Sequence, residues 1–345
     1  MARAAVAALL CCAVRGRDAT PVEDEALVHA YVARFGNTTF RPPSGALKFP
    51  YLVPGGFYQQ LWDWDSMLTG TALLDFGSAP YLAGSMKNFF SQVNVSDGTV
   101  KGCLTPEGAS ETIYHAKPVL IQGALIAAQY MNDTNQFRPF AKRMLALDAY
   151  WEALSRDAAT GLYRWHDQLE SGSDNLITSQ CPSVLGEGPE KGSASGAMCW
   201  VASDAYTLAS TDIMVWLHRE KLALAAFLTA FGDTAQAARV TASASALKLA
   251  LRSHLWDEEK GYWLAFNTSS RAAIEAKTHL LALPVFGGPG LVDARDAARA
   301  WAALSAPDML SRYGVRSASL EGETTNVPVT LNFIHFVRIR LTIKF

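Results

Sequence analysis

Helix follows helix along this chain, and no strand–helix–strand alternation interrupts the series. Apolar residues recur at helical spacing over Glu23–Phe35, Asp65–Leu74, Tyr81–Val93, Ala116–Tyr130, Phe140–Leu154, Asp204–Phe231, Thr234–Leu251 and Val292–Leu304. Gly36-Asn37 and Gly232-Asp233 stop two of these segments. Short aromatic pieces at Gly161-Leu162-Tyr163 and Gly261-Tyr262-Trp263-Leu264 read as brief strands. No Gly-rich phosphate loop is present. This pattern predicts a mainly α protein built from paired helices. With 345 residues, 50% of them hydrophobic and 18% charged, the chain can bury a large core in one big domain or two ordinary ones.

A small unit occurs twice. Trp151 to Tyr163 reads Trp-Glu-Ala-Leu-Ser-Arg-Asp-Ala-Ala-Thr-Gly-Leu-Tyr, and Leu255 to Trp263 reads Leu-Trp-Asp-Glu-Glu-Lys-Gly-Tyr-Trp. Each ends a helix, turns on Asp and Gly, and enters an aromatic strand. Recurrence after about a hundred residues suits equivalent positions in a ring of helical hairpins. The alternative is a common Asp-x-x-x-Gly turn.

Thirty basic residues against 32 acidic ones give a net charge of -2. No basic stripe points to nucleic acid. Residues 1–20 look like a leader: Arg3 precedes the apolar run Ala4–Val14, which suits a short secretory signal and is too short to span a bilayer. An organelle transit peptide or a disordered leader is the other reading. The remainder, 21–345, is expected to form one catalytic domain. Asn-x-Ser/Thr triplets at Asn37, Asn94, Asn132 and Asn267 are compatible with a secreted glycoprotein. Beyond the leader stand Cys103, Cys181 and Cys199, an odd number, of which Cys181 and Cys199 can close one loop in an oxidising compartment. No Cys/His spacing suits zinc, and no metal or cofactor is expected. Oligomeric state is not legible.

Several stretches carry chemistry. Tyr163 to Asn175 holds Trp165, His166, Glu170 and Asp174 around Ser171-Gly172-Ser173, a turn that lifts side chains onto a rim. It is either a catalytic loop or a polar connection between helices. Trp62-Asp63-Trp64-Asp65-Ser66 opens a helix. Asp65 is a capping residue there, or one wall of a sugar subsite, where carboxylates grip vicinal hydroxyls and indoles stack on the pyranose. His115-Ala116-Lys117-Pro118 precedes an apolar helix containing Gln122, and places Lys117 at the helix mouth as a cap or beside a site. Asp204 and Asp212 share one face of a long helix; Asp212 stands in an apolar run, as a functional carboxylate or as a cap.

These residues carry a family resemblance. Pro54-Gly55-Gly56 followed by Trp64-Asp65-Ser66 resembles the first signature of the trehalases. Glu170-Ser171-Gly172-x-Asp174-Asn175 resembles the acid-bearing loop of trehalases, processing α-glucosidase I and mannosylglycerate hydrolases, glycoside hydrolase families 37 and 63. Thr211-Asp212-Ile213 with Leu217 and Glu220, Leu255-Trp256-Asp257 through Gly261-Tyr262, and Tyr313-Gly314-Val315-Arg316-Ser317 echo the same group. The resemblance runs from about residue 49 to 335.

It implies an (α/α) six-hairpin toroid and an inverting α-glycosidase acting on an α-linked glucoside, mannoside or small oligosaccharide. It carries the general acid onto Asp174 and sugar binding onto Trp64, Asp65 and Asp212, with Trp62, Lys117 and Glu170 as further substrate-binding candidates. Phe57 stands where trehalases have Arg, Gln60 where they have Glu, and the Pro-Arg that follows their acid loop is missing around Ile177 to Pro182. The family's general base falls beyond the segment that Asn326 to Phe336 resembles, so the chain reads as C-terminally truncated. Glu321 and Glu323 are nearby carboxylates with no assigned role. Two other readings remain: a catalytically inactive sugar-binding homologue, and an unrelated helical toroid.

Overall fold

The structure, a computed structural model, describes residues 36–55, 58–109, 115–166, 168–171, 208–288 and 290–311, with isolated positions at 26, 29–30, 32–34, 314–316 and 319. The leader, Phe57, Asp174, Cys181, Cys199, Asp204, Tyr313, Glu321, Glu323 and the tail from Asn326 lie outside the described residues. The chain divides into two compact units. One comprises residues up to Leu147 with Ala226–Asp233; the other comprises Asp148–Ala225 and the chain from Thr234. Neither is continuous in sequence.

The first unit holds helices α1 (Asp63–Ala72), α2 (Ala79–Gln92), α3 (Leu120–Tyr130) and most of α4 (Ala141–Tyr150). Helix α1 starts two residues earlier than Asp65, with Asp63 and Asp65 both in its first turn, where the dipole favours carboxylates. Helix α3 starts later than Ala116, because Lys117 and Val119 close a turn over Pro118 (Val119 N to Lys117 O, 2.8 Å). Pro80 sits in the first turn of α2, whose Leu82, Met86, Phe89 and Phe90 are buried at helical spacing. Strand β1 (Leu61–Trp62) pairs antiparallel with β2 (Cys103–Thr105), Leu61 opposite Leu104 and Trp62 opposite Cys103. That pairing aims the chain into α1 and so places the Trp-Asp-Trp-Asp run. At Gly84 the carbonyl oxygen of Pro50 stands 1.9 Å from where a Cβ would be, so α2 approaches the preceding strand segment through a residue without a side chain.

In the second unit a strand, β3 (Leu208–Ala209), pairs with β4 (Ala265–Asn267), and helix α5 (Thr211–Phe231), whose residues from Ala226 on belong to the first unit, follows. The expectation that the helix already runs through residues 208–210 is thus corrected. Main-chain pairing of Ala209 with Phe266 holds the segment extended until Thr211. Helix α6 (Thr234–Leu255) outruns the expected end at Leu251, and α7 (Ala294–Leu304) is capped by Asp293, whose carboxylate accepts from Asp296 N (2.7 Å).

The repeat expected from sequence is present in the geometry. Helices α3 and α5 are buried on nearly all sides, whereas α4 and α6 are buried along one stripe, Met144 and Leu147 in α4, Val240, Ala244, Leu247 and Leu251 in α6. Between each pair the chain turns through a left-handed residue, Asn132 (φ 52°) or Gly232 (φ 89°), with Asp133 N on Ala128 O and Asp233 N on Leu228 O. After α4 and its continuation, and again after α6, comes the Asp–Gly turn. Gly161 (φ 73°) N meets Asp157 O at 2.8 Å, and Gly261 (φ 74°) N meets Asp257 O at 2.9 Å. Arg156 then bridges Tyr163 as Trp256 bridges Trp263. Two copies of one helix–helix–hairpin module therefore stand about a hundred residues apart in sequence.

Candidate active site

In the first unit three sequence-predicted residues, Trp64, Asp65 and Lys117, gather around Asp63, the other Asp of the Trp-Asp-Trp-Asp run. Asp63 is fully buried. One carboxylate oxygen accepts from its neighbour's amide, Trp64 N (2.7 Å); the other accepts from Lys117 N (2.8 Å). The Lys117 ammonium, itself buried, lies 3.6 Å from Asp63 Oδ1 and 5.2 Å from the centroid of the Trp64 ring. A charge buried this deeply needs such partners. Asp63 thereby clamps the turn before α3 onto the start of α1 and sets an ammonium over an indole face. Asp65 is half-buried, and burial followed by the negative charge of Asp63 pushes its carboxyl above the usual range, with Lys117 opposing. Trp62 meets Tyr58 edge-on at 6.4 Å. The result is a cluster of one indole, two carboxylates and an ammonium at the start of α1. His115, the other residue expected at this helix mouth, instead faces backbone carbonyls with both ring nitrogens, Ala116 O (2.7 Å) and Gly98 O (3.1 Å). The sequence signal for Asp63 was the Asp pair at spacing two.

The second unit holds Glu170 and Asp212. Asp212 lies in the first turn of α5, not deep within a helix. Its Oδ1 accepts from Ile213 N (2.8 Å), from Trp165 Nε1 (3.2 Å) and from the Ser210 hydroxyl. Burial pushes its carboxyl up, while these three donors pull the other way. The capping reading of Asp212 thus has direct geometric support, and Trp165 gains a defined role in holding it. Glu170 is buried too. It accepts from His166 N (2.6 Å) and contacts His166 Nδ1 (3.1 Å to Oε2), while His166 Nε2 lies 3.1 Å from Ser155 Oγ. The His166 ring lies nearly parallel to Trp151, which meets Trp165 edge-on. Glu170 therefore anchors the chain that leads toward Asp174.

Nearby in the same unit a buried ammonium, Lys221, bonds Asp148 (2.6 Å) and Glu152 (2.7 Å). Glu152 Oε1 also accepts from Tyr163 OH and Ser243 Oγ, both at 2.6 Å. Burial pushes the Glu152 carboxyl up, but Lys221 and the hydroxyl donors prevail and hold it down at about 2. This network ties α4 and its continuation to α5 and α6. Glu152 and Tyr163 belong to the repeated Trp151–Tyr163 unit, but the network was not legible in the sequence, because Lys221 and Ser243 stand far from that unit along the chain.

Solved structures place the fold. The neutral trehalase of Saccharomyces cerevisiae superposes with a TM-score of 0.58 at 18% identity, over 79% of this chain and 57% of that one. A GH63 mannosylglycerate hydrolase from Thermus thermophilus, in complex with glucose, gives 0.59 at 17% identity over 80% of each chain. The fold is that of the helical six-hairpin glycosidases. Among curated relatives, the periplasmic trehalase of Salmonella paratyphi C is 22% identical over 306 residues, 77% of this chain, and the cytosolic neutral trehalase of Saccharomyces cerevisiae is 22% identical over 304 residues. The chain spans about half the length of the periplasmic trehalases it matches, 52% for the Salmonella protein. Residues 58–324 match the mannosylglycerate hydrolase MGH1-like glycoside hydrolase domain. The chain belongs to that family of glycoside hydrolases.

Proposed function

We propose that the chain is an inverting α-glycosidase acting on an α-linked glucoside, mannoside or small oligosaccharide. The observation that carries this reading is the Asp63–Lys117–Trp64–Asp65 cluster. Indole faces suit the C–H face of a pyranose, carboxylates suit its vicinal hydroxyls, and the buried Asp63–Lys117 pair pre-orders both. Trp62 and Trp64 supply the stacking, and Asp65 and Lys117 the polar contacts. Glu170 and Asp212 are further substrate-binding candidates within their own unit, where Glu170 anchors the chain before the acid loop. Asp174 is the general acid: it protonates the leaving oxygen while a second carboxylate, about 6.5–9.5 Å away, activates water on the opposite face.

The relatives' names bracket the substrate, trehalose at one end and mannosylglycerate at the other. A secretory or extracellular location fits the leader and the exposed triplet asparagines Asn94 and Asn132. Among the described residues no helix is long and apolar enough to cross a membrane.

The test is hydrolysis of trehalose and of an α-mannoside by the chain and by Asp174→Asn. The expected outcome is turnover of one of them and a loss of about 10²–10⁴-fold in kcat for the variant. Equal rates in both proteins would remove Asp174 from this role.

A further inference from the structure

A cavity of about 140 Å³ lies in the second unit, between the C-terminal half of α6, the short strand Tyr262–Trp263 and the start of α7. None of the residues proposed above to bind substrate lines it. At about 10–15 Å³ per water-sized group it accommodates on the order of ten such groups, close to the dozen or so non-hydrogen atoms of a hexopyranose.

Its chemistry is specific. Trp263 is 2% exposed, lines the cavity, and has an indole N–H with no hydrogen-bond partner among the described residues. A buried donor left unanswered costs about 1–3 kcal/mol, so something that accepts a hydrogen bond is favoured there. Lys248 lines the same cavity and forms no ion pair among the described residues. The remaining charged groups are already engaged. Arg252 Nε meets Asp296 Oδ2 at 3.0 Å, and Asp293 caps α7 through Asp296 N.

The two cations and two carboxylates of the lining balance, which disfavours a highly charged ligand. The carboxylates retain lone pairs for hydroxyl donors, while Trp263 and Lys248 offer donors to hydroxyl oxygens. Leu291 and Val292 add an apolar wall. Acceptors, donors and an apolar face in a space of this size match one ligand chemistry.

We propose that this cavity is a carbohydrate-binding site for a neutral, monosaccharide-sized polyol, held by the Trp263 indole N–H and the Lys248 ammonium. It does not depend on the glycosidase reading, because it shares no residue with that site. A site of this kind tethers a sugar product or an adjoining unit of a longer glycan without acting on it.

The experiment follows the indole N–H resonances of the full chain by ¹⁵N–¹H correlation NMR during titration with D-glucose. The Trp263 signal is identified by its loss in Trp263→Phe. The expected result is a saturable shift of that signal, retained in Trp64→Ala. Calorimetric titration of D-glucose into Trp64→Ala then reports this site, with affinity about tenfold weaker when Val292→Trp fills the cavity. Lys248→Leu, an exposed substitution that leaves the core untouched, is expected to weaken it several-fold. A Trp263 resonance that does not move with glucose, or binding unchanged by both Val292→Trp and Lys248→Leu, overturns the proposal. Loss of hydrolysis in Asp174→Asn bears only on the other site.

Discussion

Asp63 and Lys117 show how much can turn on one pair of side chains. Both are buried, and the ammonium answers a carboxylate that has no access to water. Removing it in Lys117→Met strands that carboxylate, so urea unfolding is expected to show a loss of about 3 kcal/mol or more. Lys117 also opposes the upward push on Asp65. The same variant should therefore raise the pH at which Asp65 protonates, and, on the sugar-binding role proposed for Asp65, weaken glucose binding on the acid side.

Glu152 makes the complementary case. Its folded pKa of about 2 lies below the ordinary 4.5. A depressed acid stabilises the fold fully above its unfolded pKa, and that contribution is lost as pH falls from about 4.5 to about 2. Stability measured across this window is expected to fall, and to fall less steeply in Glu152→Gln.

At the scale of the element, the two Asp–Gly turns are the most informative pair. Both need a left-handed glycine, so alanine at either position costs about 1 kcal/mol of backbone strain. Their surroundings differ. A Cβ on Gly161 finds Arg156 at 3.5 Å, an ordinary contact, but one on Gly261 falls 2.7 Å from Arg299 Nε. Arg299 is held by Glu258 Oε1 (2.7 Å) and stacks over Trp256 at 5.4 Å. Gly261→Ala must displace that guanidinium, and thermal denaturation is expected to rank it below Gly161→Ala. Equal melting temperatures would mean that Arg299 yields freely.

The existence of the helices and the Asp–Gly turns was legible in sequence, because period and turn chemistry are local. The start of α5 was not. Leu208 and Ala209 are apolar enough to continue a helix backwards, and only the partner strand at Phe266, more than fifty residues away, draws them out.

The whole molecule is two compact units threaded by a chain that returns to the first after visiting the second. Phe227 packs on Phe137 at 5.5 Å between ring centroids, and Arg138 donates to Phe231 O (3.0 Å) and lies over its ring. The first unit is therefore incomplete without residues that arrive some eighty positions later. A fragment of residues 36–147 is expected to lack a cooperative unfolding transition by near-ultraviolet circular dichroism. A transition as sharp as that of the full chain would show that Phe227 and Phe231 are dispensable.

The amino-acid order alone determined the helical class, the hairpin rhythm and the family, and drew attention to Trp64, Asp65, Lys117 and Glu170. Each of those follows from neighbours within a few positions, through helical period, turn residues and short motifs. Tertiary structure decided which polar groups are buried together. Lys221 carries no local signal, and Asp63, Trp165 and Glu152 stand in stretches whose local pattern does not say what they bind; all four become hubs only when packing removes water from around them and leaves each to find a partner in the protein.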